Sequence, residues 1–505
     1  MKAKRMIKVK GWFTAVLLLL VLNLYGQPIR FSEFYDSDNG AGLLEAIVEL
    51  DNGGFMAVGS NLNLANDANQ DGHHVVVDDN GNLMNQIAIS YPGKTYNTQA
   101  LLKSDAGSLF SSGYLCDYTV ESPGHCDFYL SKLDETGDTI FTHVIERTDT
   151  SDYLLNMVET GSNKIMLIGW TLNDTTGNNA DLLFITVDTL GNELNRVVYG
   201  GSGTDYVHSG IVINEMGESL LTGHTKSFGG GDNDSWVLKV DSIGNVLWQE
   251  TYNHLSPSGG DGGAQVTQLQ DGNYIVAGSY DNSSLTAAWG YLMKIDGDGN
   301  EIWTKRYDNE FSQGFWACEE LPDGSIIGVG QTNNTDDGSQ AGWLLKADAN
   351  GDSLWTRTYN SSSNTEILRN MRVMNNGDIV MVGFGRGDNS TTQDGWILRV
   401  DSMGCVVENC TGSVGVDDDL SALHSEKLSI YPNPATNQLN INLNGINARE
   451  SEVVVHNLMG TEVHRFLPIS DGEIIDVSTW ARGIYHCSLY GNQQLLQTER
   501  LILMR

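Results

Sequence analysis

Proline is scarce in this chain, at 8 of 505 residues, and so is positive charge: 29 Lys and Arg stand against 64 Asp and Glu, a formal net charge of −35. So little Pro argues against a Pro-rich linker. So few basic residues argue against a nucleic-acid-binding surface or a polybasic membrane patch, both of which need clustered Lys and Arg. Cysteine is limited to six residues with no CxxC spacing, and no HxxxH spacing occurs, which makes zinc improbable. Helical periodicity is absent. No Gly-x-Ser-x-Gly, His-Glu-x-x-His or phosphate-cradling Gly loop appears. Glycine, by contrast, is abundant at 57 residues. With 40% hydrophobics and 11 Trp, the composition describes a folded, acidic, turn-rich β protein rather than a disordered acidic chain.

Residues 1–26 read as a secretory signal peptide. Lys2, Lys4, Arg5, Lys8 and Lys10 form a basic start, and Trp12–Leu24 is an apolar run shorter than the ~20 residues that span a bilayer. No Cys follows that run, which argues against a lipoprotein anchor, and no later stretch approaches membrane-spanning length. Export makes disulfides permissible. Cys116 and Cys126, ten apart in one polar loop, are the best candidate pair, with Cys405 and Cys410 a second. Cys318 and Cys487 sit in apolar runs and read as buried thiols.

Two markers repeat in register. An Asp-x-x-Gly element recurs at Asp78, Asp134, Asp188, Asp241, Asp296, Asp348 and Asp401, at intervals of 52 to 56 residues. An apolar run ending in glycine recurs at Gly59, Gly113, Gly169, Gly223, Gly278, Gly330 and Gly383. Between them lie four short β-rich runs separated by Asp/Asn/Gly turns, the composition hairpins require. Four strands per ~54 residues, seven times, predicts an all-β, seven-bladed β-propeller over residues 27–410. Large rings at fixed repeat positions (Tyr129, Trp236, Tyr291, Trp343, Trp396; Phe141, Trp248, Trp303, Trp355) read as wedge-filling core. Residues 29–35 resemble the last strand of a unit, so they are expected to complete the seventh blade and remove an exposed edge.

Residues 411–426 lose the repeat and read as a linker. Segment 427–505 carries six basic and seven acidic residues, a far lower charge density than the region before it, and its seven short runs suit a small β-sandwich. Its motifs are Tyr431-Pro432-Asn433-Pro434-Ala435 followed by Leu439-Asn-Ile441, then Val455-His-Asn-Leu-Met-Gly460. Asp476-Val-Ser-Thr-Trp480 follows, leading into Gly483-Ile-Tyr485, and the basic-apolar end is Glu499–Arg505. In that order they resemble the C-terminal sorting domain of the type IX secretion system of Bacteroidota. The resemblance implies passage across the outer membrane through that machinery, removal of the tail, and a secreted or cell-surface address. The propeller units are similar to poorly characterised repeats of bacterial surface and secreted proteins.

Chemistry on the propeller is thinly marked. Asp67, Asn69 and Asp71 match the opening of a calcium loop, making calcium the one candidate cofactor. Asp78 would end the full twelve-residue loop, but the extended run before it would carry it ~20 Å away. Asp71, Asp127, Asp181, Asp234 and Asp394 each lie seven residues before the repeat Asp and read as loop-to-strand turns, with an acidic ring on one face as the other reading. No catalytic residue stands out. The expectation is a non-enzymatic binding propeller for a protein or glycan, engaged through the variable loops at 61–70, 114–126, 171–180, 225–233, 280–288, 332–340 and 384–393. The rival is a secreted hydrolase or lyase acting on polysaccharide or peptide, with carboxylates around the central channel.

Overall fold

The computed structural model describes residues 30–406 apart from 36–39, 64–69, 92, 118–124, 148–149, 162, 173–178, 231–232, 253–259, 282–287, 308–311, 334–338, 361–364 and 387–391. It describes residues 428–503 apart from 432–434, 444–450, 458–461, 467–472 and 492–493. The signal segment 1–26 and the linker 411–426 lie outside the described residues, as does part of each variable loop. Every described element is a strand, and the chain divides into two compact units.

The first strand, β1 (Phe31–Tyr35), belongs to the last blade. Blade 1 is β2 (Gly40–Glu49), β3 (Phe55–Asn63), β4 (Gln70–Val77) and β5 (Leu83–Ile89). Blade 2 is β6 (Thr95–Lys103), β7 (Leu109–Asp117), β8 (His125–Leu133) and β9 (Thr139–Ile145). Blade 3 is β10 (Ser151–Gly161), β11 (Lys164–Leu172), β12 (Ala180–Asp188) and β13 (Glu193–Tyr199). Blade 4 is β14 (Asp205–Val212), β15 (Ser219–Thr225), β16 (Asp234–Val240) and β17 (Val246–Tyr252). Blade 5 is β18 (Asp261–Gln268), β19 (Tyr274–Asp281), β20 (Ala288–Ile295) and β21 (Glu301–Tyr307). Blade 6 is β22 (Gln313–Glu320), β23 (Ile326–Thr332), β24 (Ala341–Ala347) and β25 (Ser353–Tyr359). Blade 7 is β26 (Ile367–Val373), β27 (Ile379–Gly385) and β28 (Asp394–Val400), completed by β1 pairing antiparallel with β28 from Phe31↔Arg399 to Tyr35↔Gly395. The innermost strands β2, β6, β10, β14, β18, β22 and β26 touch in succession, and β26 returns to β2. The fold is a seven-bladed propeller closed by its own N-terminal strand.

The Asp-x-x-Gly marker is the turn between the third and fourth strands. Asp296 accepts the amides of Asp298 and Asn300 through Oδ1, both at 2.9 Å, and Gly299 takes the left-handed conformation at φ +85° that favours glycine. The side-chain amide of Asn300, then its backbone N–H, hold the Asp296 carboxyl below its usual range. Five of the seven turns are clasped through a hydrogen bond from the blade before. The hydroxyls of Tyr35, Tyr252, Tyr307 and Tyr359 donate to the carbonyls of Gly81, Gly299, Gly351 and Gly404 at 2.6–2.8 Å, and His74 Nδ1 lies 2.9 Å from the carbonyl of Gly137. Trp248 and Trp303 lay their rings against the turn glycines 299 and 351 of the following blades. Tyr129, Trp236, Tyr291, Trp343 and Trp396 are buried, whereas Phe141, Trp248, Trp303 and Trp355 are only half-buried, because the blades splay towards their outer strands.

The closing seam adds buried charge. Asp378 takes Arg399 at 3.1 Å and Arg30 at 3.3 Å, and Arg399 also donates to the Asp79 carbonyl of blade 1 at 2.8 Å. Cys116 and Cys126 form a disulfide, but not inside a loop. They face each other as register partners near the ends of β7 and β8, which run further than the polar composition suggests. Cys405 is disulfide-bonded, and Cys410 lies outside the described residues. Cys318 and Cys487 are buried free thiols.

The second unit packs β29 (Leu428–Tyr431), β30 (Gln438–Leu443) and β33 (Glu473–Asp476) as one sheet. The other sheet has β31 (Ser451–Asn457), β32 (Glu462–Phe466), β34 (Gly483–Gly491) and β35 (Gln494–Leu503). Leu439, Ile441, Val453, Val455, Tyr485, Cys487 and Leu501 fill the core of this sandwich.

Candidate functional site

All seven innermost strands carry a β-bulge at one level. The register slips between Leu44 and Ala46, Thr98 and Ala100, Leu154 and Asn156, Val207 and Ser209, Gly263 and Gln265, Phe315 and Ala317, and Leu368 and Asn370. A bulge leaves one residue outside the pairing and re-aims its side chain. The residues so released are Glu45, Gln99, Leu155, His208, Ala264, Trp316 and Arg369, and all seven line one central cavity of about 850 Å³.

The bulge explains the second sequence marker. It presses the carbonyl two residues upstream against the facing strand. A Cβ at Gly59, Gly113, Gly169, Gly223, Gly278, Gly330 or Gly383 would lie 1.8–2.1 Å from that oxygen, closer than any side chain can approach. The repeated glycine is therefore a steric requirement of the channel wall.

From the ring the cavity continues along the innermost strands to the turns of the opposite face. Their inner edges face no further strand, so side chains take up backbone groups there. Glu159 accepts the Asp105 amide at 2.7 Å, Glu320 the Gln270 amide at 2.6 Å and Gln265 the Cys318 amide at 2.6 Å. Glu319 accepts the Val373 amide at 2.6 Å and pairs with Arg372 at 3.0 Å. Glu319 and Glu320, adjacent in sequence, thus serve different neighbouring blades.

On the face of the variable loops, an arc of aromatic side chains crosses blades 2 to 4. Tyr114 meets Tyr153 edge-on at 5.1 Å, Tyr153 stacks on Trp170 at 4.0 Å, Trp170 meets Tyr206 edge-on at 5.1 Å, and Tyr206 lies 5.0 Å from His224. All five are half-buried, so each keeps accessible ring surface. His224 Nδ1 is 3.2 Å from His208 Nε2 in the bulge ring. Burial lowers His208 to about 4; burial, then the neighbouring His208, lowers His224 to about 3, so both rings are neutral at pH 7. Burial, opposed by Arg369, raises the Glu45 carboxyl above its usual range.

Few of the site residues expected from the sequence belong to this constellation. Asp67 and Asn69 lie outside the described residues. Asp71 is buried in β4 opposite Asn61, and Asp78 follows the far end of that strand. Among the described residues, no group of three or more His, Cys, Asp or Glu is placed to hold a metal ion. Asp127 and Asp234 are buried and accept the amides of Arg147 and Gly230, tying loops to strands as turn residues do. Asp394 is likewise buried and Asp181 is half-buried, so these carboxylates do not form an exposed acidic ring. His73 and His74 are buried within β4.

The bulge ring and the aromatic arc were missed, although a signal for them exists. The ring residue stands 14 positions before each marker glycine, 15 in blade 4, and Tyr114, Trp170 and His224 directly follow their marker glycines.

Residues 429–504 match the secretion system C-terminal sorting domain family. Within it Tyr431 closes β29, Gly483 opens β34, and the buried Tyr485 donates to the Ala481 carbonyl at 2.6 Å; Pro432, Asn433, Pro434 and Gly460 lie outside the described residues. The second unit is thus a type IX secretion C-terminal sorting domain, which implies export. No curated protein matches this chain. Among solved structures, the chain is similar to a protein of unknown function from Dyadobacter fermentans (11% identity, 74% of this chain and 99% of that one, TM-score 0.45). It is also similar to an α-L-arabinanase of Penicillium chrysogenum (12%, 74% and 98%, TM-score 0.40). A third likeness is the β-propeller domain of the Trilobed protease of Pyrococcus furiosus (12%, 71% and 95%, TM-score 0.39). Likenesses this distant say nothing about activity.

Proposed function

We propose that this protein is an exported binding propeller that holds a glycan at the loop-side mouth of its channel. The aromatic arc Tyr114–Tyr153–Trp170–Tyr206–His224 carries the reading. Half-exposed rings laid side by side on three rigid blades offer flat apolar faces with polar edges, which suits sugar rings with their C–H faces and hydroxyl rims. The neutral His208–His224 pair adds hydrogen-bonding groups without charge.

Binding without turnover is favoured over two-carboxylate hydrolysis. That chemistry sets two carboxyl groups ~5 to 9.5 Å apart around the scissile bond. Glu45 is the one carboxylate of the bulge ring, and Glu159, Glu319 and Glu320 are engaged with backbone amides at the opposite end.

The test is calorimetry of the full chain against glycans found positive on an array. Trp170→Ala and Tyr153→Ala should each weaken binding about tenfold while leaving the thermal midpoint nearly unchanged. Affinity indifferent to both substitutions, or turnover of the bound glycan, would overturn the reading.

A further inference from the structure

The wall of the mouth is not continuous. Two residues before the bulge, blades 3 and 4 carry Tyr153 and Tyr206, whereas blades 5 and 6 carry Gly262 and Gly314. Neither glycine is imposed by a backbone clash. A Cβ on Gly262 would lie 3.7 Å from His224 Nδ1 and one on Gly314 3.3 Å from Ser279 Cβ, against about 2 Å at the marker glycines. They open a gap in the rim between Tyr206 and His224 on one side and Trp316 on the other.

Beyond that gap stands Arg369. Its guanidinium lies over the Trp316 ring, 4.1 Å from the centroid, with Phe384 at 5.7 Å. Nε is buried with no hydrogen-bond partner, and among the described residues Arg369 forms no ion pair. Elsewhere in the ring Arg30, Arg147, Arg372 and Arg399 all pair with carboxylates. Burial raises the neighbouring Glu45 carboxyl above its usual range against the opposing pull of Arg369, and no ion pair joins the two among the described residues. In a chain of net charge −35, a half-buried cation without an ion pair carries a desolvation cost that an anionic ligand would reduce. A planar guanidinium fixed on an aromatic face presents its N–H fork in one orientation, matched to two oxygens of one group.

We propose that Arg369, seated on Trp316, forms an oxyanion subsite that takes a carboxylate or sulfate ester carried by the bound glycan. The proposal deepens the glycan reading and rests on it for the rest of the ligand. The protein would therefore select acidic over neutral polysaccharide, with the sugar rings on the arc and the anionic substituent reaching through the gap.

The first experiment leaves the glycan out. The full chain is titrated with free galacturonate, inorganic sulfate and galactose, following tryptophan fluorescence and thermal midpoint. At least one oxyanion should saturate the wild type, galactose should not, and Arg369→Gln should remove the response. Arg369→Lys should weaken it severalfold, because charge is kept and the fork is lost. The second experiment compares oligogalacturonates with their methyl esters, and sulfated with desulfated galactan oligosaccharides. The acidic member of one pair should bind at least tenfold more tightly, with the preference abolished by Arg369→Gln and binding of the neutral member held within twofold. Which pair shows the preference tells carboxylate from sulfate. The subsite is overturned if neither oxyanion acts on the wild type or if Arg369→Gln responds equally. If the oxyanion response depends on Arg369 but no oligosaccharide binds, the subsite stands and the glycan reading falls.

Discussion

Two sets of positions in the ring behave in opposite ways. At the scaffold positions (marker glycine, turn Asp and Gly) all seven blades carry one residue type, because each answers a backbone demand that recurs in every blade. At the bulge level the seven residues are Glu, Gln, Leu, His, Ala, Trp and Arg, and no two agree. The backbone there is as regular as anywhere, since all seven bulges occur at one level. The contrast teaches that geometry is supplied by repetition and chemistry by the one position that repetition leaves open.

The hardest way to break that comparison is to substitute a scaffold glycine. Gly330→Val puts a Cβ 1.9 Å from the Gly314 carbonyl, where only backbone could yield. It should cost about 3 kcal/mol or more in chemical denaturation, or prevent folding. A loss below about 1 kcal/mol would contradict the steric account of the marker.

A middle-sized effect separates the seams. Four blade junctions are clasped by tyrosine hydroxyls, whereas blade 1 clasps blade 2 through His74, lowered by burial to about 4 although its bond to Gly137 opposes the shift. The unfolded chain binds this proton near pH 6.5 and the folded chain only near 4. Stability is therefore complete above about pH 6.5 and falls as pH drops towards 4. His73, His208 and His224 add to the same slope. Denaturation at pH 7, 6, 5 and 4 should show the decline, and His74→Gln should make it shallower. The turn carboxylates, held low, act only below about pH 4. Equal stability at pH 7 and pH 5 would rule the histidine account out.

The smallest effect belongs to the bulge ring. Leu155→Gln, which copies the chemistry of Gln99 one blade away, should change stability by less than about 1 kcal/mol. A larger loss would mean that the ring helps to hold the barrel of blades together.

Much of the architecture is legible in the sequence. The seven-fold Asp-x-x-Gly and glycine markers count the blades, Phe31–Tyr35 imitates the end of a unit, and the motifs around Tyr431, Gly460 and Gly483 identify the tail. The site was not legible in the same way. Glu45, His208, Trp316 and Arg369 stand roughly 50 to 325 residues from one another along the chain, and residues that differ in every copy look like noise to a search for sameness. The loop boundaries were drawn too wide for a related reason: Cys116, Cys126 and Tyr114 are polar or ambivalent residues that the sheet nonetheless pairs.

The sequence by itself determined the number of blades, their closure and the sorting tail, because turn conformation and strand alternation are local demands that leave local marks. Only the tertiary structure decided why the marker glycines must be glycine and which seven side chains share a cavity. Both depend on distances between strands that come together only when the ring closes.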